Sequence, residues 1–165
     1  MIRKVIATLG VVSAALLGGV VPASAQTQAA PHCQWGNTYG TIVKPPVQPV
    51  FAVIGGAQVG SIELCRDSSY NYWGFAIYDT PMTASQYAQV LLQIYRDGDW
   101  IKDVSCDTDL GNGNKGNGYI APNQTRCWTP KVGGVSGHYT FRARTDKYSS
   151  HTGALLASGR TVVTR

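Results

Sequence analysis

Glutamate is nearly absent from this sequence. Glu63 is the only one, and lysine occurs six times in 165 residues. That scarcity excludes a coiled coil, whose heptads are rich in both residues. Charged residues make up 14%, against 44% hydrophobic and 10% aromatic. An intrinsically disordered chain is thereby excluded, because such chains pair high net charge with few aromatics. Dense Lys/Arg runs are also missing, so the formal net charge of +5 does not mark a nucleic-acid-binding surface. The length suits one domain and is short for a (β/α)8 barrel.

At the N-terminus stands a pattern of export. Arg3 and Lys4 precede an apolar run from Val5 to Val21, and Pro22-Ala23-Ser24-Ala25 supplies a small-x-small cleavage site. Residues 1–25 therefore read as a secretory signal peptide. The run of about 17 residues is marginal for a membrane span, and later segments are too short or too interrupted to cross a bilayer. Without the signal, 140 residues remain with a net charge of +3, since Arg3 and Lys4 are lost with it.

Four cysteines follow the signal: Cys33, Cys65, Cys106 and Cys127. An even count in an exported chain favours two disulfides, and three pairings are open. Cys33–Cys65 and Cys106–Cys127 are favoured because each closes a local loop. No C-x-x-C occurs, which argues against zinc.

Residues 26–50 read as an extended leader, with a proline-rich stretch at Lys44-Pro45-Pro46-Val47-Gln48-Pro49. Beyond Phe51 the hydrophobic period is two, the period of a strand. Ile62 and Leu64 share one face. Trp73, Phe75 and Ile77 alternate with Tyr72, Gly74, Ala76 and Tyr78. Asp97-Gly98 between two apolar runs is a strong hairpin signal, because a type I′ turn needs φ > 0 at both central residues. It predicts strands at about 87–96 and 99–105, with Tyr95 opposite Trp100. Residues 107–118 form a polar, glycine-rich loop, and short strands are expected near 125–129, 138–144 and 161–164. Seven to nine short strands with Gly/Pro/Asn punctuation predict an all-β fold, an antiparallel β-sandwich of immunoglobulin-like or similar kind over residues 51–165.

Parts for catalysis are few. With the cysteines expected to be oxidised, no thiolate nucleophile is at hand. Ser136 lies in Gly134-Val135-Ser136-Gly137-His138, which lacks the last glycine of a nucleophile elbow. Glu63 has no partner glutamate for glycoside hydrolysis, and the aspartates read as turn residues. Asp107, Asp109, Asn112 and Asn114 have partial calcium-loop spacing, but Gly118 stands where a bidentate Glu belongs. No cofactor and no metal are implied. Asn123-Gln124-Thr125 matches a glycosylation sequon.

The stretch from Ile62 to Trp73 (Ile-Glu-Leu-Cys-Arg-Asp-Ser-Ser-Tyr-Asn-Tyr-Trp), followed by Arg126-Cys127-Trp128-Thr129-Pro130, resembles small exported proteins of Streptomyces and related actinobacteria. A narrower resemblance is to the adaptor subunit of secreted actinobacterial toxin particles. It implies a compact β-domain whose extended N-terminal segment links two other subunits, and it carries over no functional residue.

The expectation is a secreted protein that binds and does not catalyse. Its partner would be another secreted protein, docked through the leader and an edge strand, or a cell-surface glycan. For the glycan, an outward row of Tyr70, Tyr72 and Tyr78 offers apolar area at low entropy cost, and Arg142 with Arg144 adds a basic stripe. An inhibitor of an extracellular hydrolase, presenting the stapled loop 107–126, is a third expectation. Nucleic acid is not expected as a partner, nor is a membrane span.

Overall fold

A computed structural model describes residues 32–43, 47–107, 116–134 and 137–164. The expected signal peptide, the dipeptide Pro45-Pro46, the partial calcium ligands Asp109, Asn112 and Asn114, and Ser136 all lie outside the described residues.

The chain is all-β, and its named strands pair antiparallel. A small hairpin joins β1 (Gln34–Trp35) to β2 (Thr38–Tyr39). A ten-stranded sheet holds β3 (Thr41–Ile42), β4 (Gln48–Ala52), β5 (Gln58–Arg66), β6 (Asn71–Tyr78), β7 (Tyr87–Arg96), β8 (Asp99–Ser105), β9 (Arg126–Trp128), β10 (Val132–Gly133), β11 (Tyr139–Tyr148) and β12 (Leu155–Arg160). Its path runs β10-β6-β5-β4-β12-β11-β7-β8, with β3 added to β5 and β9 to β6. Among the described residues, no helix is long and apolar enough to cross a membrane.

Local chemistry accounts for the sharpest feature. Asp97 and Gly98 take φ of +54° and +99°, and the register pairs Arg96 with Asp99 and Tyr95 with Trp100. This is the two-residue hairpin that Asp-Gly specifies.

The sheet curls so that β5 and β6 face β7 and β11. Ile62, Leu64, Tyr72, Tyr78, Val90, Leu92, Ile94 and Phe141 fill the space between them. Tyr72 stacks on Phe141 with ring centroids 4.4 Å apart, and the Tyr78 and Thr145 hydroxyls share a hydrogen bond of 3.1 Å. Such an aromatic pair adds about 1 kcal/mol beyond its burial. Gly74 lets the two halves meet, since a Cβ there would lie 2.7 Å from Val90 Cγ1.

Strand β6 is buried on both faces. Its other face, Trp73 and Phe75, joins Cys33 and Cys65 in a second cluster that Trp35, Ile42, Ile77 and Trp128 help to cover. The β1–β2 hairpin is held there by the Cys33–Cys65 disulfide and by the Trp73 indole N–H, which donates to the Gln34 carbonyl. Glu63 is buried beside the disulfide and accepts from the Cys33 backbone N–H at 2.7 Å and pairs with the His32 ring at 2.5 Å. Much of the expected leader is thus part of the fold: β3 pairs with β5, and β4 sits between β5 and β12.

Cys106 and Cys127 are buried free thiols lying close enough to hydrogen-bond, and burial pushes the Cys127 thiol well above its ordinary range. One of the two expected disulfides is therefore formed, and the other expected pair lies side by side.

Candidate functional site

An outward tyrosine row does not form. Tyr72 and Tyr78 are 4% and 2% exposed, because their face of β6 is the one that closes on β11. Burial raises the Tyr78 hydroxyl pKa. Tyr70 alone is exposed, at φ +58° just before the strand, beneath the Arg66 guanidinium. Arg142 and Arg144 do face outward from β11, but both are engaged. Arg142 Nε donates to Gln93 Oε1 at 2.7 Å and its guanidinium lies over the Tyr95 ring. Arg144 Nε meets Asp146 Oδ2 at 2.8 Å.

A different group of side chains converges where the β1–β2 hairpin, the segment 117–125 and β9 meet. They line an open pocket of about 350 Å³. From β9 come Arg126 and Trp128, from β1 comes Gln34, and from the segment between Cys106 and Cys127 come Asn117, Asn123, Gln124 and Thr125. None of these is acidic.

Backbone hydrogen bonds hold the segment in place. Met82 N–H donates to the Gln124 carbonyl and Asn123 N–H to the Met82 carbonyl, both at 2.9 Å, while Tyr78 N–H donates to the Thr125 carbonyl at 2.8 Å. Met82 and Tyr78 are themselves buried, so the pocket floor is anchored in the main core. Asn123 stands at φ +64°, a left-handed position that Asn tolerates better than most residues.

The polar groups are preset. Arg126 Nη1 donates to Gln34 Oε1 at 2.9 Å, and Gln34 Nε2 in turn donates to the Gly36 carbonyl. Asn117 Oδ1 accepts from the Trp128 backbone N–H at 2.8 Å, and Gln124 Oε1 accepts from the Ala121 N–H at 3.3 Å. With their oxygens so used, Asn117 and Gln124 present their carboxamide NH2 groups as donors. The remaining guanidinium N–H groups of Arg126 add to the same supply. Among the described residues the pocket is thus rich in donors, with the Trp128 indole as an apolar wall and no carboxylate in its lining to act as a base.

No family model matches this chain, and neither does a curated protein or a solved structure. The reading of the pocket therefore rests on its chemistry alone.

Other clusters carry less. Tyr87, Tyr119, Tyr148 and His151 pack ring against ring, with Tyr87 4.1 Å from His151. The Tyr87 hydroxyl donates to Asp107 Oδ2 at 2.7 Å, and burial together with that carboxylate pushes its pKa up. Its donor is committed. Lys131 sits between the Trp35 and Trp73 rings and against Asp67 at 3.0 Å, so that cation cage is filled from within. His138 pairs with Asp97 in the open, both more than half exposed.

Sequence reasoning missed the pocket because no single motif carries it. Gln34 and Arg126 are 92 positions apart. The one local signal was Arg126-Cys127-Trp128, in which alternation puts Arg126 and Trp128 on one face and the buried Cys127 on the other.

Proposed function

We propose that this chain is an exported, non-catalytic glycan-binding protein, and that the Trp128 pocket takes a sugar bearing acceptor oxygens, such as an acetamido group. The observation that carries the reading is the lining: amide and guanidinium donors around one indole, with no acid among them. Sugar faces pack on aromatic rings, and polar groups placed by a rigid scaffold fix orientation in small-molecule sites. A donor-rich lining suits carbonyl and ether oxygens. A lining without carboxylates offers little to hydroxyl donors, so a purely neutral polyol fits less well.

The proposal takes the curled sheet as a sandwich-like frame, its halves meeting across Tyr72 and Phe141. It also takes Cys106 and Cys127 as a second disulfide that clamps the pocket segment at both ends. A second reading, docking of another secreted protein, draws on β8. Among the described residues this strand pairs only with β7 and exposes Trp100 and Ile101 at 58% and 43%. An open edge of this kind can accept an added strand, although Lys102 and Asp103 blunt it.

Retention of the secreted protein on immobilised acetamido-sugar oligomers and peptidoglycan tests the first reading. Asn123→Ala and Gln124→Ala, at exposed positions, are expected to weaken retention about tenfold each, in keeping with a lost hydrogen bond of roughly 1 kcal/mol or more. Arg126→Gln is expected to cost more, and Tyr70→Ala nothing. Failure of the wild type to bind any of these glycans, or unchanged binding by both amide variants, would overturn it.

A further inference from the structure

Across the molecule's outer surface, a second groove of about 410 Å³ runs over β4, β12 and β11. Gln48, Pro49 and Phe51 form one side, Ser158 and Arg160 the floor, and Arg144 the far side. Phe51 is 47% exposed there.

Arg144 and Arg160 are direct cross-strand partners. Side chains so placed share one face, with Cβ atoms about 5 Å apart, and like charges in that position disfavour the pairing. Compensation is incomplete. Asp146, 2% exposed, engages Arg144 through Nε and also accepts from the Ser158 hydroxyl at 2.8 Å. Arg160 is exposed and has no hydrogen-bond or ion-pair partner among the described residues. Among the described residues the one carboxylate beside this pair is thus engaged by Arg144 and Ser158, and Arg144 and Arg160 both line the groove. An acceptor that meets both would relieve the repulsion and be bound by it.

We propose that this groove is a phosphoryl-binding site, with Arg144 and Arg160 as a two-sided clamp. A phosphoryl group has enough oxygens to engage two guanidiniums at once, whereas a carboxylate is used up by one fork. Asp146 positions Arg144 by taking its Nε and turning the remaining N–H groups toward the groove. Phe51 provides an apolar shoulder for whatever carbon skeleton bears the phosphate. The site stands on residues remote in sequence from the glycan pocket and does not depend on that reading.

The test is titration of the 15N-labelled full mature chain, following the arginine Nε–Hε signals. The probes are inorganic phosphate and dimethyl phosphate, with sodium chloride and sodium acetate at matched ionic strength. Saturable shifts of the Arg144 and Arg160 signals with at least one phosphate are expected. Response to inorganic phosphate alone marks a monoester-type ligand, and response to dimethyl phosphate alone marks a diester. Arg160→Gln, at an exposed position, is expected to weaken binding by about tenfold or more, as for loss of a hydrogen bond to a charged group. Arg142→Gln, outside the groove, is expected to leave it within about twofold, the range of a distant surface change. Linear shifts no larger than those in chloride, equal affinity for acetate, or an unchanged affinity in Arg160→Gln would each overturn the proposal.

Discussion

Oxidation of Cys106 and Cys127 closes a loop of 21 positions, counted from one cysteine to the other. On the chain-entropy account, a cross-link over that span restricts the unfolded chain by about 3 kcal/mol. For a domain of this size that is about 10 °C in Tm. The assay is a thermodynamic cycle: wild type and C106A/C127A, each unfolded in urea with and without reductant. Reductant opens Cys33–Cys65 in both proteins, so the difference that survives it measures only the packing of two buried sulfur atoms. The excess difference without reductant is the cross-link, expected at about 3 kcal/mol. Peptide mapping of the purified protein, prepared without reductant, should show a linked Cys106–Cys127 peptide. Burial raises the Cys127 pKa and leaves little thiolate, the reactive form. Folded, reduced protein is accordingly expected to reoxidise slowly at this pair. An excess within about 0.5 kcal/mol of zero, the usual error of additivity, with both thiols open to alkylation, refutes the reasoning.

Two further outcomes concern the N-terminal cluster. Burial favours the neutral form of Asp67, but the Asn71 N–H, the Lys131 ammonium and the Asn71 side chain outweigh it and hold the carboxyl at about 2, below its usual 3.8. Its folded pKa is depressed, so its stabilisation is complete above the unfolded value and is lost as pH falls through 2; it amounts to about 2 kcal/mol. Unfolding measured from pH 6 to pH 2 should show that loss in the wild type and not in Asp67→Asn, and parallel curves would contradict it. Glu63→Leu removes the acceptor of the Cys33 N–H while keeping the site filled. It is expected to cost about 1–3 kcal/mol and to speed hydrogen exchange at the Cys33 amide. A variant as stable as the wild type would show the buried carboxylate to be dispensable.

Local pattern carried the strands well. The Asp97-Gly98 turn, the span of its two strands and the Tyr95–Trp100 pairing were all legible, because a two-residue loop leaves one register open. The Cys33–Cys65 pairing was favoured from loop length alone. Faces were harder. Alternation separated Tyr72 and Tyr78 from Trp73 and Phe75 correctly, but it says nothing about which face is covered, and here both are. Glu63 was passed over as a lone acid, although its alternation with Ile62 and Leu64 placed it on the side of Cys65. That side is where the disulfide brings His32 and the Cys33 amide.

The candidate site was the least legible part. Arg126 and Trp128 could be placed on one face of a strand, but their partner Gln34 arrives only because the disulfide and the Trp73 indole lay the hairpin across β6. Arg144 could be read as outward, but its opposition to Arg160 follows from the β11–β12 register.

What the sequence alone determined is therefore short-range: periods, the tight turn and the Cys33–Cys65 cross-link expressed through spacing are set by φ/ψ preference and loop closure within a few tens of residues. Only the tertiary structure decided which faces are core, where the lone glutamate lies and which donors converge. Those depend on how the sheet curls back on itself, and that closure is settled by contacts between strands far apart in the chain.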